Sequence, residues 1–187
     1  MKKYILPSIK MTGVMLVLCA LIYPAIIAMI GTVAPGGGQG EKVLVDGNVV
    51  GYANIGQKFT SDAYFWGRPS AVDYNAAGSA GSNKGPSNPD YLQTVQQRID
   101  TFLVHHPGIH KEQLPAELVT ASGSGLDPDI SPAAAQVQVK RIAQVRGIAE
   151  EKVAALVQAQ TEQPLLGLLG PARINVLRLN IALDKLQ

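Results

Sequence analysis

The chain has 187 residues, 47% of them hydrophobic and only 5% aromatic, and its 16 basic and 14 acidic side chains leave a formal net charge of +2. With no dense basic tract beyond the N-terminus, the composition argues against a nucleic-acid partner, and the scarcity of rings argues against a base-stacking platform or a ring-lined carbohydrate cleft. The single cysteine, Cys19, excludes a disulfide within the chain.

Lys2, Lys3 and Lys10 lead into Met11 to Val33, a run without any charged residue. A hydrocarbon core roughly 30 Å thick needs about 20 helical residues, so residues 11–33 are predicted to form one transmembrane helix. The lysines on the short leading side place residues 1–10 in the cytoplasm and everything beyond about residue 34 outside. Pro24 is expected to bend the span without breaking it, and Tyr23 and Pro24 together mark a candidate helix contact. A cleaved signal peptide has an apolar core of only about 7 to 15 residues, and here the small-residue site Thr32-Val33-Ala34 is followed by Pro35. Val17-Leu18 also lacks the small residue expected before a lipidated cysteine.

Residues 34–42, rich in glycine, read as a flexible linker, and residues 43–187 as one exported α/β domain. Asp46-Gly47 between two β-branched runs predicts a hairpin. From Gly56 to Asn88 periodicity disappears, and the aromatic cluster Tyr64-Phe65-Trp66 marks this long segment as ordered and as a contact candidate. Asn88-Pro89 starts a helix expected to end near His106-Pro107, with Leu92, Val95, Ile99, Phe102 and Leu103 on one face. Leu118-Val119-Thr120 is a short strand candidate. Ser131-Pro132 opens a helix predicted over Ala133 to Arg146 and closed by Gly147, and a second runs from Glu150 to Gln160. Leu177, Leu179, Ile181 and Leu183 alternate with more polar residues, the period of a half-buried strand.

No catalytic constellation emerges from the spacing. Ser122-Gly123-Ser124-Gly125 lacks the Gly-x-Ser-x-Gly order of a nucleophile elbow and reads as a tight turn. His105, His106 and His110 straddle a helix end, so they are expected to be exposed and not convergent ligands. Glu112 and Glu117 read as solvated. The glycines at 36–40 lack the Gly-Lys-Ser/Thr ending of a phosphate loop, and Val50-Gly51-Tyr52 lies in the predicted hairpin, not in a pore filter.

A series of longer motifs resembles one family. Gly56-Gln57-Lys58-Phe59-Thr60, Tyr64-Phe65-Trp66-Gly67-Arg68-Pro69-Ser70-Ala71, Gly81-Ser82-Asn83 and Gly85-Pro86-Ser87-Asn88-Pro89 are similar to the C subunits of bacterial Kdp potassium-transporting ATPases. Leu118 to Pro128 and Asn175 to Asp184 agree in the same order.

The resemblance implies a single-pass accessory subunit in the bacterial inner membrane, without catalytic or metal-binding residues of its own. Its implied partners are a channel-like potassium-binding subunit, a P-type ATPase subunit and a small membrane peptide. ATP, magnesium and potassium would be handled by those partners. The implied role is assembly near the potassium entrance, together with raising the ATP affinity of the ATPase subunit. Tyr64, Phe65, Trp66, Arg68, Pro69 and Ser70 are the candidate partner interface. Ser82, Asn83, Ser87 and Asn88, with Asp62, Asp73, Asp127 and Asp129, are candidates for lining or steering at an ion entrance, or for structuring the loop. The alternative class is a membrane-anchored enzyme or binding protein that acts alone.

Overall fold

One continuous helical run, Lys2–Val33, makes up most of the N-terminal unit of the computed structural model, which describes residues 2–186. Helix α1 (Lys2–Val17) passes through a π turn (Leu18–Ile22) into α2 (Tyr23–Val33). The span Lys3–Val33 is 31 residues long, has a mean hydropathy of 2.6 over its most apolar window and buries none of that window, so it is long and apolar enough to cross a membrane. It starts earlier than residue 11, because Lys3 to Lys10 continue the same helix. The π turn sits where Pro24 needs it: a proline lacks the N–H for residue i−4 and crowds that carbonyl, here Ala20 within the widened turn. After α2 the glycines fold into tight turns, with Gly37 and Gln39 donating to the Ala34 and Gly36 carbonyls at 2.9 Å each.

The second unit, residues 43–187, is a mixed α/β domain of helices and two small sheets. Strands β1 (Lys42–Val45) and β2 (Asn48–Tyr52) form the expected hairpin. Asp46 and Gly47, at φ 50° and 81°, supply the two left-handed residues of its turn. Helix α3 (Pro89–His105) begins at Asn88, whose Oδ1 accepts from the Tyr91 amide at 3.0 Å. Strands β3 (Asp129–Ile130) and β4 (Ile174–Asn175) pair antiparallel, Asp129 opposite Asn175 and Ile130 opposite Ile174. Helices α4 (Pro132–Gln136), α5 (Val139–Arg146), α6 (Glu150–Ala159) and α7 (Val176–Asp184) complete the domain, α6 contacting the other three. Their facing sides close over Phe65, Ile130, Ile142, Val153, Leu179 and Leu183.

Three sequence expectations are corrected. Residues 177–183 are helix, not strand: Val176, Leu177, Leu179, Asn180 and Leu183 are the buried positions, a stripe of period 3.6 that includes a polar residue. Asn175 starts the helix by accepting from the Arg178 amide at 3.1 Å. Leu118–Thr120 is not a strand either, since the chain turns through a 3-10 helix (Ala116–Leu118) after Pro115, and the strand partner of β4 is Asp129–Ile130. The helix expected over 133–146 is two helices, broken where the Gln138 amide turns back to the Ala135 carbonyl at 3.0 Å.

Leu179→Ala is expected to cost about 2–5 kcal/mol in denaturant unfolding of the detergent-solubilised chain, because Leu179 is fully buried. Ile181→Ala, on the half-buried side of α7, is expected to cost clearly less. Equal losses would restore the strand reading.

Candidate functional site

The aromatic cluster of the long loop is threaded between helices as an extended segment held by side-chain amides. Asn180, on α7, accepts from the Phe65 amide at 2.8 Å and donates to the Phe65 carbonyl at 3.0 Å. Gln138 accepts from the Trp66 amide at 2.8 Å and donates to the Trp66 carbonyl at 3.0 Å. Successive residues of an extended chain present their peptide groups to opposite sides, so each amide replaces one rung of a neighbouring strand. Gln138 is fully buried and donates again to the Ala134 carbonyl at 3.0 Å, which satisfies its carboxamide.

Arg141 organises the same segment from α5 while only 4% exposed. Its guanidinium donates to the Asp62 carbonyl, to the Tyr64 carbonyl at 2.9 Å and to Gln138 Oε1 at 2.9 Å, and it lies 4.9 Å from the Trp66 ring centre. Its Nε donates to His106 Nε2 at 2.8 Å. His106 Nδ1 therefore carries the proton and donates to the Phe102 carbonyl at 2.7 Å. The His106 ring stacks on Phe102 at 3.6 Å. Burial, reinforced by the Arg141 charge, lowers the His106 pKa to about 4, and burial lowers that of Arg141 to about 10, so Arg141 remains charged at neutral pH. The expectation that His105, His106 and His110 form an exposed end fails at His106, because α3 turns that ring into the core.

Each candidate aspartate has a cation beside it. Asp62 lies 3.8 Å from Arg141, besides its 2.8 Å hydrogen bond with His105 Nδ1, Asp73 meets Lys58 at 2.7 Å, Asp127 meets Arg68 at 3.0 Å and Asp129 meets Arg173 at 3.3 Å. Burial raises the Asp129 pKa against the opposing effect of Arg173. Asp127 also accepts from the Asp129 amide at 3.1 Å, so these two are neighbours, whereas Asp62 serves the Arg141 cluster. Ser82, Asn83 and Ser87 are exposed, and Asn88 is the α3 cap. Glu117 is not simply solvated, since its Oε1 accepts from the Ser131 amide at 3.0 Å. Ser122 is buried and accepts from the Gly125 amide at 2.9 Å, as a turn residue does.

Of the candidate interface residues, Phe65 lies wholly inside the domain's own core, so its side-chain area is not available to a partner. Tyr64 donates to Asp184 at 3.1 Å and carries Arg146 over its ring at 4.7 Å. Ser70 Oγ accepts from the Tyr74 amide at 2.8 Å, and the Pro69 carbonyl accepts from the Ser122 amide at 3.3 Å. Arg68 Nε is a buried polar atom with no hydrogen-bond partner among the described residues. Trp66, Pro69, Ser70 and Asp73 line an open groove of about 450 Å³ together with Thr94 and Arg98 of α3.

A small α/β domain attached to a single helix of membrane-spanning length, with its central polar groups bonded to its own backbone, defines the class of protein. Comparison with known proteins narrows that class to one family. The family described as "K+-transporting ATPase, c chain", KdpC, matches residues 5–185. The chain is 58% identical over 185 residues to the potassium-transporting ATPase KdpC subunit of Flavobacterium psychrophilum, covering 99% of this chain and 100% of the relative. It is 48% identical over 177 residues to that of Caldanaerobacter subterraneus subsp. tengcongensis, covering 94% and 92%. The chain belongs to the KdpC family.

Because the unfolded chain takes up a proton at His106 near pH 6.5 and the folded chain only near pH 4, stability falls as pH drops through that window, by at most about 3 kcal/mol. Urea midpoints at pH 7.5 and 4.5 are expected to show this loss, and His106→Gln is expected to flatten it. Gln138→Leu removes partners from both Trp66 backbone groups and is expected to cost about 1–3 kcal/mol for each group orphaned, measured by the same unfolding.

Proposed function

We propose that this chain is a non-catalytic accessory subunit of an ATP-driven potassium uptake pump, anchored by its single helix in the bacterial inner membrane. The family match over residues 5–185 carries the reading. Lys3 and Lys10 at the leading end of the helix support a cytoplasmic N-terminus and a domain on the opposite face of the membrane. There the domain helps to assemble and stabilise the complex near the potassium entrance. Its partners are a channel-like potassium-binding subunit, a P-type ATPase subunit and a small membrane peptide.

The domain contributes to this role as a preformed body. Trp66, Pro69 and Ser70 at the groove are its accessible interface candidates, with Arg68 behind them positioned by Asp127. Since each candidate aspartate already has a lysine or arginine within 4 Å, any influence on potassium at an entrance is exerted by shape and hydrogen-bonding groups more than by free negative charge. The chain raises the ATP affinity of the ATPase subunit without contacting nucleotide. The membrane helix transmits that effect through contacts that differ between two pump states. The π turn next to Pro24 is a point at which such a helix can change its register.

Affinity purification of the tagged chain in mild detergent from potassium-limited cells, with potassium-stimulated ATPase assayed on the eluate, tests this reading. The expected result is recovery with a P-type ATPase and a channel-like protein. Elution alone as a stable monomer would refute the subunit role. Arg68→Ala with unchanged folding, complex yield and potassium uptake would reject the interface assigned to the loop.

A further inference from the structure

The groove beside Trp66 contains a cation for which the domain supplies no counter-charge. Of the six arginines in the chain, Arg68, Arg141, Arg146, Arg173 and Arg178 each have a carboxylate within 4 Å. Arg98, midway along α3, has none among the described residues, and its guanidinium makes one hydrogen bond to them, Nη1 donating to the Val119 carbonyl at 3.1 Å. It is half-buried and, with Ser70 and Thr94, lines both the groove of about 450 Å³ and an adjoining cavity of about 310 Å³. Ser70 brings a second unused donor to the same place. Its Oγ accepts from the Val72 and Tyr74 amides at 3.2 and 2.8 Å, and its own proton has no acceptor among the described residues. Between those bonds Asp73 and Tyr74 lie at φ 50° and 59°, two successive residues in the left-handed region, so this part of the lining is a shape kept against local preference.

We propose that this groove is a binding site for a small organic acid, a single carboxylate carried on an aromatic or other apolar body, with Arg98 as its charge partner. Lys58 and Asp73 bridge each other at 2.7 Å, and Lys84 and Asp90 in the adjoining cavity pair at 3.6 Å, which leaves Arg98 as the one uncompensated charge of the lining. A monocarboxylate balances it, whereas a dianion would bring a second charge that nothing there answers. The remaining guanidinium donors form the planar fork that meets both oxygens of a carboxylate, and the Ser70 hydroxyl is a further donor in the same lining. Phe59, Trp66 and Tyr74, all half-buried, add ring surface that a bare inorganic anion would leave wet. The volume agrees, since sites for small organic ligands run from about 300 to 1,000 Å³. The inference does not rest on the subunit reading, because every residue it uses belongs to this domain.

Trp66 is the chain's single tryptophan, so its emission reports on the groove directly. The full chain, purified in mild detergent, is titrated with 3-phenylpropionate, with the neutral 3-phenylpropanamide and with inorganic phosphate. The acid is expected to change the emission saturably, half-saturating at about 1 mM as suits a ligand of this size. The amide, which partitions into detergent at least as well, and phosphate, which lacks the apolar body, are each expected to bind about tenfold more weakly or worse. Arg98→Gln with an unchanged unfolding midpoint is expected to weaken the acid about tenfold and leave the amide where it was. Should that variant fail to fold, the comparison of acid with amide on the wild-type chain decides alone. Absence of saturation, equal affinity for acid and amide, phosphate binding as tightly as the acid, or a folded Arg98→Gln that binds the acid as before would each overturn the proposal. Loss of partner subunits from a folded Arg98→Gln, with no saturable binding of the acid to the wild-type chain, would overturn it in favour of a carboxylate on a partner. The titration needs no partner, so its failure leaves the subunit reading standing.

Discussion

The grip of Gln138 and Asn180 on the Phe65 and Trp66 peptide groups is the constraint on which the rest of the domain depends. A long, glycine-rich segment has no ladder of its own, and burying its backbone without partners would cost more than the apolar contacts return. Two side-chain amides from opposite sides answer all four backbone groups. Only then can Phe65 enter the core, and only then does Arg141 find the carbonyls of Asp62 and Tyr64 in reach. The loop, α3 and the C-terminal helices are thereby one unit of packing.

Local chemistry made much of this legible in the sequence. Asp46-Gly47, the Asn88-Pro89 and Ser131-Pro132 starts, and Gly147 at φ 66° each act through one or two neighbouring residues, and each appears as read. What was not legible depends on residues far apart. Phe65 and Asn180 are separated by 115 positions and Trp66 and Gln138 by 72, so nothing near either amide announces its partner. Asn180 also misled the reading of α7: taken as an outward residue it gives alternation, whereas taken as a buried one it completes a helical stripe. Gln138 and Arg141 within the otherwise apolar face of Ala134, Ala135 and Ile142 were the available signal for a buried polar cluster. The aromatic segment was found, but its side chains serve the domain's own core more than its surface.

This arrangement suits an accessory subunit better than an independent catalyst. The buried histidine is held neutral by burial and by Arg141, the arginine is fully engaged, and the candidate carboxylates stand beside cations. A domain built in this way presents a fixed shape to its surroundings. Membership of the KdpC family gives that shape its context, and the helix Lys3–Val33 provides the length and hydropathy of an anchor.

Amide hydrogen exchange at Phe65 and Trp66 in the full-length chain tests the central claim most directly. If the two carboxamides clamp this segment, both amides exchange only through global unfolding, as slowly as those within α5 and α7. Exchange as fast as at the exposed Ser82 to Ser87 stretch would contradict the account, because the segment would then be a surface loop and the core would have to close without it.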